Sequence, residues 1–234
     1  MDYRIVSTKP EHSSAKGYTA PVFDSLPVAT DLYELSHAAL LRLSERLRRY
    51  HHQRPKVLMV RVSLAGVPQG GISETEHINR WMYLLQRRVN VELGSPPLNK
   101  KECKLTAFSK YEELEDVGAC YRVAVLFDLK AFDDDDMEGL SERIRYWMGE
   151  SWSQVVKQWI SMIHNYVAFS DVDNFIILDE NTLEGHANKQ IAFYYLSQLT
   201  ERQYTGTLSQ YSTFQHHRTR INQSPTRQYA TPFL

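Results

Sequence analysis

Cysteine is scarce in this chain of 234 residues: Cys103 and Cys120 are the only two, and they form no Cys-x-x-Cys pair. The sequence thus offers neither a disulfide framework nor a structural zinc set, and it suits a reducing compartment. No apolar run is long enough to span a bilayer, and the opening Met-Asp-Tyr-Arg-Ile lacks the hydrophobic segment of a secretory signal. A cytoplasmic protein with no membrane partner is the expectation. A Gly-rich phosphate loop, a Ser/His/Asp arrangement with family-like spacing and an internal repeat are also missing. The formal net charge is only -1, so nothing global argues for nucleic acid. The charge is nevertheless unevenly spread. Residues 111–150 are acidic, whereas 42–56 and 202–227 are basic and His-rich, which permits a local anion-binding face.

With 42% hydrophobic and 24% charged residues, the chain has the composition of a globular protein able to bury one sizeable core. Residues 1–30 carry Pro10, Gly17, Pro21 and Pro27 and read as an extended arm. Residues 31–218 read as one domain and 219–234 as an irregular tail, the chain being polar from Tyr204 onward. Asp31 is the expected cap of a first helix, with Leu32, Leu35, Ala39, Leu40, Leu43 and Leu47 on its apolar face. Its basic tail, including Arg46, Arg49, Arg54 and, beyond Pro55, Lys56, has two readings: a solvated helix end, or contacts to phosphate.

A strand is expected over 57–64, then a helix opened by a Ser73–Glu76 capping box, with Ile78, Trp81, Met82, Leu85 and Val89 inward. A turn follows at 94–97. Strands at 103–109 and 121–127 would make an antiparallel hairpin across an acidic loop, 111–116. The Asp133–Asp136 run lacks the alternation of a calcium loop and reads better as a helix cap. Helices at 140–147 and 152–163 should bury Trp147, Trp152, Trp159, Ile160 and Ile163. A strand at 175–178 and a helix from Lys189 to about Gln203 complete an α+β layout, a mostly antiparallel central sheet flanked by helices.

The stretch Gly118–Phe127, short, β-branched and apolar, is the best candidate for the centre of the sheet. Side chains alternate along a strand, so Cys120, Arg122, Ala124 and Leu126 share one face and Tyr121, Val123, Val125 and Phe127 the other. An Arg in such a run either snorkels to water or meets an anionic group at a functional site.

The order of elements, with Val-Leu-Met-Val-Arg-Val in the first strand, Tyr-x-Val-Ala-Val-Leu in the central one and Phe-Tyr-Tyr-Leu-Ser-Gln in the late helix, resembles the YagK/YfjJ C-terminal domain family. The closing Tyr211-Ser-Thr-Phe-Gln-His-His-Arg218 is similar too, and the resemblance spans about 32–218. Members are prophage proteins related to the replication proteins of filamentous phages. The resemblance implies an HUH endonuclease (Rep-like) fold in a bacterial cytoplasm and single-stranded DNA as a partner. In that fold two His on the central strand hold magnesium or manganese, and a helix Tyr attacks a DNA phosphate. The nucleophile position falls on Tyr195, with Tyr194 beside it.

This chain departs from that pattern. Cys120 and Arg122 stand in the places of the two His, Gln198 replaces an expected Lys, and Ser63 stands about where an acidic residue belongs. A guanidinium keeps its proton, cannot ligate a metal and repels one. The resemblance thus implies a degenerate site needing no cofactor, in which Arg122 meets a phosphate directly. Tyr194, the basic segment and Arg218 and Arg220 would add contacts. Two alternatives stand beside it: a protein that contacts a phage or host protein through its acidic and aromatic surfaces, and an active nickase forming a phosphotyrosine at Tyr195. His164, His186, His216 and His217 have no assigned place, and neither target sequence nor oligomeric state is legible.

Overall fold

The computed structural model describes residues 17–32, 34–66, 74–94, 103–114, 118–132, 136–158, 160–169, 174–201 and 214–218. Expectations for Ser73, 95–97, 133–135, Trp159 and Arg220 fall outside these. Two short ribbons come first: β1 (Gly17–Tyr18) pairs with β4 (Leu35–Ser36), and β2 (Val22–Phe23) with β3 (Leu26–Pro27). Then come α1 (His37–Gln53), β5 (Lys56–Leu64), α2 (Glu74–Glu92), β6 (Thr106–Leu114), β7 (Gly118–Asp128) and α3 (Met137–Val156). β8 (Val167–Phe169), β9 (Phe175–Asp179), α4 (Leu183–Ser197) and β10 (Phe214–Arg218) complete the described chain.

The main sheet is antiparallel throughout and ordered β10-β6-β7-β5-β8, with β9 following β8 along the same edge of β5. β7 is central because it pairs over nearly its whole length with both β6 and β5. Its two faces feed different cores. Tyr121, Val123, Val125 and Phe127 pack with Ile78, Trp81 and Leu85 of α2 and Trp147 and Trp152 of α3. Ala124 and Leu126 pack with Leu40, Leu43 and Leu47 of α1 and Phe193 and Leu196 of α4. A strand covered on both sides reads as a continuous apolar run, as β7 does. The buried indoles keep partners: Trp81 donates to the Met148 carbonyl at 3.1 Å and Trp152 to that of Ala65 at 2.8 Å.

Several elements differ from the sequence reading. α1 starts at His37 and not at Asp31, because Ser36 accepts the Ala39 N–H at 3.3 Å; Leu35 is buried in β4 and Leu32 is exposed. The residues 111–114 extend β6 rather than forming a loop. One helix, α3, replaces the two expected; Asp136 caps it through the Gly139 N–H, and the left-handed Lys157 (φ 57°) ends it. The segment Ile160–Asn165 is a 3-10 turn, so Ile160 is exposed while Ile163 is half-buried against the core. α4 begins at Leu183 under a Thr182 cap, six residues before Lys189; Leu183, Glu184, His186 and Ala187 are exposed, so no apolar period announces that turn. It ends at Ser197, followed by a 3-10 turn, Gln198–Thr200. Phe214–Arg218, within the polar stretch that begins at Tyr204, forms a strand paired with β6.

Candidate functional site

The second core, between the sheet and α1 and α4, is interrupted by a polar patch of sheet. Backbone register places Lys110 of β6, Arg122 of β7, Ser63 of β5 and Ala168 of β8 in one row, and Phe108, Ala124 and Arg61 in the next. Side chains opposite one another on paired strands point to the same face. Between this patch and the end of α4 lies a groove of about 400 Å³ lined by Arg61, Ser63, Arg122, Ala168, Tyr195 and Gln198, among others. The fold therefore brings Arg122 and Tyr195, 73 residues apart in sequence, to one site.

Arg122 is held from behind. Its Nε lies 2.8 Å from one oxygen of Glu112, whose other oxygen is 2.6 Å from the Lys110 ammonium. Lys110 also pairs with Glu201, just beyond α4. Lys110 has no exposed surface, and an ammonium tolerates such burial only among carboxylates. The network thus joins β6, β7 and the end of α4, and it aims an Arg122 side chain that is still 41% exposed. Cys120, opposite Glu112, is buried. Burial pushes its thiol pKa up and Glu112 adds to this, against Arg122 and Lys110.

The two tyrosines of α4 do different things. Tyr194 donates its hydroxyl to the Asp31 carboxylate, at 3.0 and 3.1 Å from its oxygens. Tyr195 turns toward the sheet, where the Arg61 guanidinium carbon lies 3.7 Å from its ring centre. Arg61 was missed in reading the sequence. Its signal was available: like Arg122, it is a lone cation within an apolar strand, at the Ala124 register position.

The basic tail of α1 does not join this groove. Arg46, Arg49 and Arg54 line a separate hollow of about 80 Å³ with Tyr50, Lys104 and Thr106. There Arg54 stacks on Tyr50 at 4.6 Å and lies 3.4 Å from Asp128, while Arg49 pairs with Glu45. Tyr50 donates to the Lys104 and Leu126 carbonyls. At about 3.3 Å per strand residue, the hollow is roughly 13–20 Å from Arg122 along β7. Exposed Lys56 starts β5 at the hollow's end of the sheet, and the Arg218 backbone pairs with Thr106 there. His164 and His186 are exposed, and the backbones of His216 and His217 pair with Phe108 and Ala107. None of the described histidine side chains lines the groove.

The divalent cation implied by the resemblance does not fit these residues. Position 122 offers a guanidinium without a lone pair, Cys120 is held toward its neutral thiol, and Glu112 is engaged by two cations. Among the described residues, no three His, Cys, Asp or Glu side chains converge as a metal site would require. Likewise no helix among them is long and apolar enough to cross a membrane.

The sheet flanked by helices on both faces, with its Arg-Tyr groove, defines an α+β domain, and the family model of the YagK/YfjJ C-terminal domain matches residues 18–216. The chain belongs to that family. No curated protein and no solved structure matches it.

Proposed function

We propose that this protein is a divergent Rep-like member of its family, built on an HUH-type scaffold, that binds single-stranded nucleic acid without efficient cleavage. The observation that carries this reading is the position of Arg122: a guanidinium braced by Glu112 in the groove beside Tyr195, where the resemblance places a metal-binding His. A fixed guanidinium supplies the charge-assisted contact to a phosphate oxygen that a metal supplies elsewhere. Attack by a tyrosine hydroxyl on a phosphate calls for a metal or an equivalent activating group, and Cys120 and Arg122, standing where the resemblance places the two metal-binding His, do not make a metal-ligand pair, so efficient cleavage is not favoured.

The test is fluorescence anisotropy of a labelled single-stranded oligonucleotide at two salt concentrations, paired with a nicking assay in manganese. Binding that weakens with salt and drops in Arg122→Ala, with no covalent adduct, is the expected result. Tyr195→Phe should bind nearly as well as wild type because its ring remains. Absence of binding at low salt would favour a protein-interaction role, and an adduct lost in Tyr195→Phe would establish an active nickase.

A further inference from the structure

Arg61 and Tyr195 together change what the groove offers a ligand. The guanidinium covers one face of the phenol ring, and Tyr194 meets the same ring edge-on, with centroids 5.9 Å apart at 72°. The planar surface beside the groove is then the Arg61–Tyr195 stack and not a bare tyrosine. Arg122 sits on the next strand, two residues from Ala124, which is the register partner of Arg61. Such diagonal neighbours are roughly 7–8 Å apart between Cα atoms, about the reach of one nucleotide from phosphorus to base. The groove volume of about 400 Å³ lies within the range that encloses small organic ligands.

Resting on the reading above, we infer that Arg61 and Tyr195 form a stacking platform for one unpaired nucleobase whose phosphate is held by Arg122. Arginine planes stack on bases as aromatic rings do, and stacking uses the face of the guanidinium while leaving its in-plane N–H groups to their own partners. Bases inside a duplex already have both faces covered, so the site selects single strands. It tolerates any sequence, because every base presents a π-face. Ser63 and Gln198, also lining the groove, add neutral polar groups and no charge of their own.

The experiment compares a short deoxyadenosine oligonucleotide with an abasic strand of the same length, and with the corresponding duplex, on wild type, Arg61→Lys and Arg122→Ala. Wild type should prefer the base-bearing strand over the abasic one by roughly 5- to 150-fold. Arg61→Lys keeps the charge and loses the plane, so abasic binding should persist while the preference narrows. Equal wild-type affinity for base-bearing and abasic strands, with salt-dependent binding intact, would overturn the platform and leave the phosphate reading standing. Full preference in Arg61→Lys would assign the stack elsewhere and overturn the role of Arg61. Failure of both strands to bind at low salt would remove the nucleic-acid reading itself. Should Arg61→Lys fail to fold, as judged by circular dichroism, the wild-type comparison of the two strands decides alone.

Discussion

Lys110 and Glu112, two residues apart on β6, form an ion pair of 2.6 Å in which both side chains are almost wholly withdrawn from water. Burial of this kind adds little net stability as a pair, but removal of one partner strands the other. Glu112→Ala should therefore destabilise the fold by about 3 kcal/mol or more, measured by urea denaturation. Lys110 would retain only Glu201, and Arg122 would lose its brace. Arg122→Ala should cost much less, since Arg122 is partly exposed and Glu112 stays paired to Lys110. A Glu112→Ala variant as stable as wild type would mean that the network is not what holds this part of the sheet.

The central strand should accept a metal only if its donors are restored. Wild type is expected to bind no manganese tightly at Cys120 and Arg122. The double variant Cys120→His, Arg122→His should gain measurable affinity, because both positions point to the same face. Isothermal titration with manganese checks both statements. Stoichiometric tight binding by wild type at this strand would contradict the first.

His51 makes stability depend on pH. It is buried at the end of α1, and burial, reinforced by Lys189 and only partly opposed by Glu180 at 3.8 Å, lowers its pKa from 6.5 to about 4. The unfolded chain therefore takes up a proton at a higher pH than the folded one. Stability contributed by neutral His51 is complete above about pH 6.5 and is lost as pH falls toward 4, a difference of roughly 3 kcal/mol. Chemical denaturation between pH 7 and pH 4 should show this slope reduced in His51→Leu. An unchanged slope would place the acid sensitivity on other groups.

Trp152 links three parts of the core. Its ring meets Trp81 and Tyr121 edge-on at 6.3 and 6.1 Å, and its indole N–H bonds to the Ala65 carbonyl after β5. Trp152→Ala should cost about 3–5 kcal/mol, whereas Trp152→Phe should cost less because most of the ring volume remains. Thermal melting of the two variants orders them.

Local pattern alone was enough to place four strands of the sheet, β5, β6, β7 and β9, though not β8 or β10. The alternation in 118–128 sorts Arg122 from Val123 whatever surrounds the strand, because a pleated backbone sends neighbours to opposite faces. The apolar stripe of α2 was legible for the same reason: Ile78, Trp81, Leu85 and Val89 recur at helical spacing and are all buried. Where ends and partners depend on residues far apart in the chain, sequence was silent. Asp31 has the chemistry of a helix cap, yet the fold sets it beside Tyr194, and Ser36 caps α1 instead. Phe214–Arg218 has the polarity of a loop, and only the open edge of β6 makes it a strand. The site follows the same division. That Arg122 either reaches water or meets an anionic group was readable from its strand; that it does both, partly exposed and paired with Glu112, that Lys110 lies buried behind that carboxylate and that Arg61 covers Tyr195 were decided by sheet register and by the docking of α4. Register and docking are set by contacts between distant segments, and no single stretch of sequence contains both halves of such a contact.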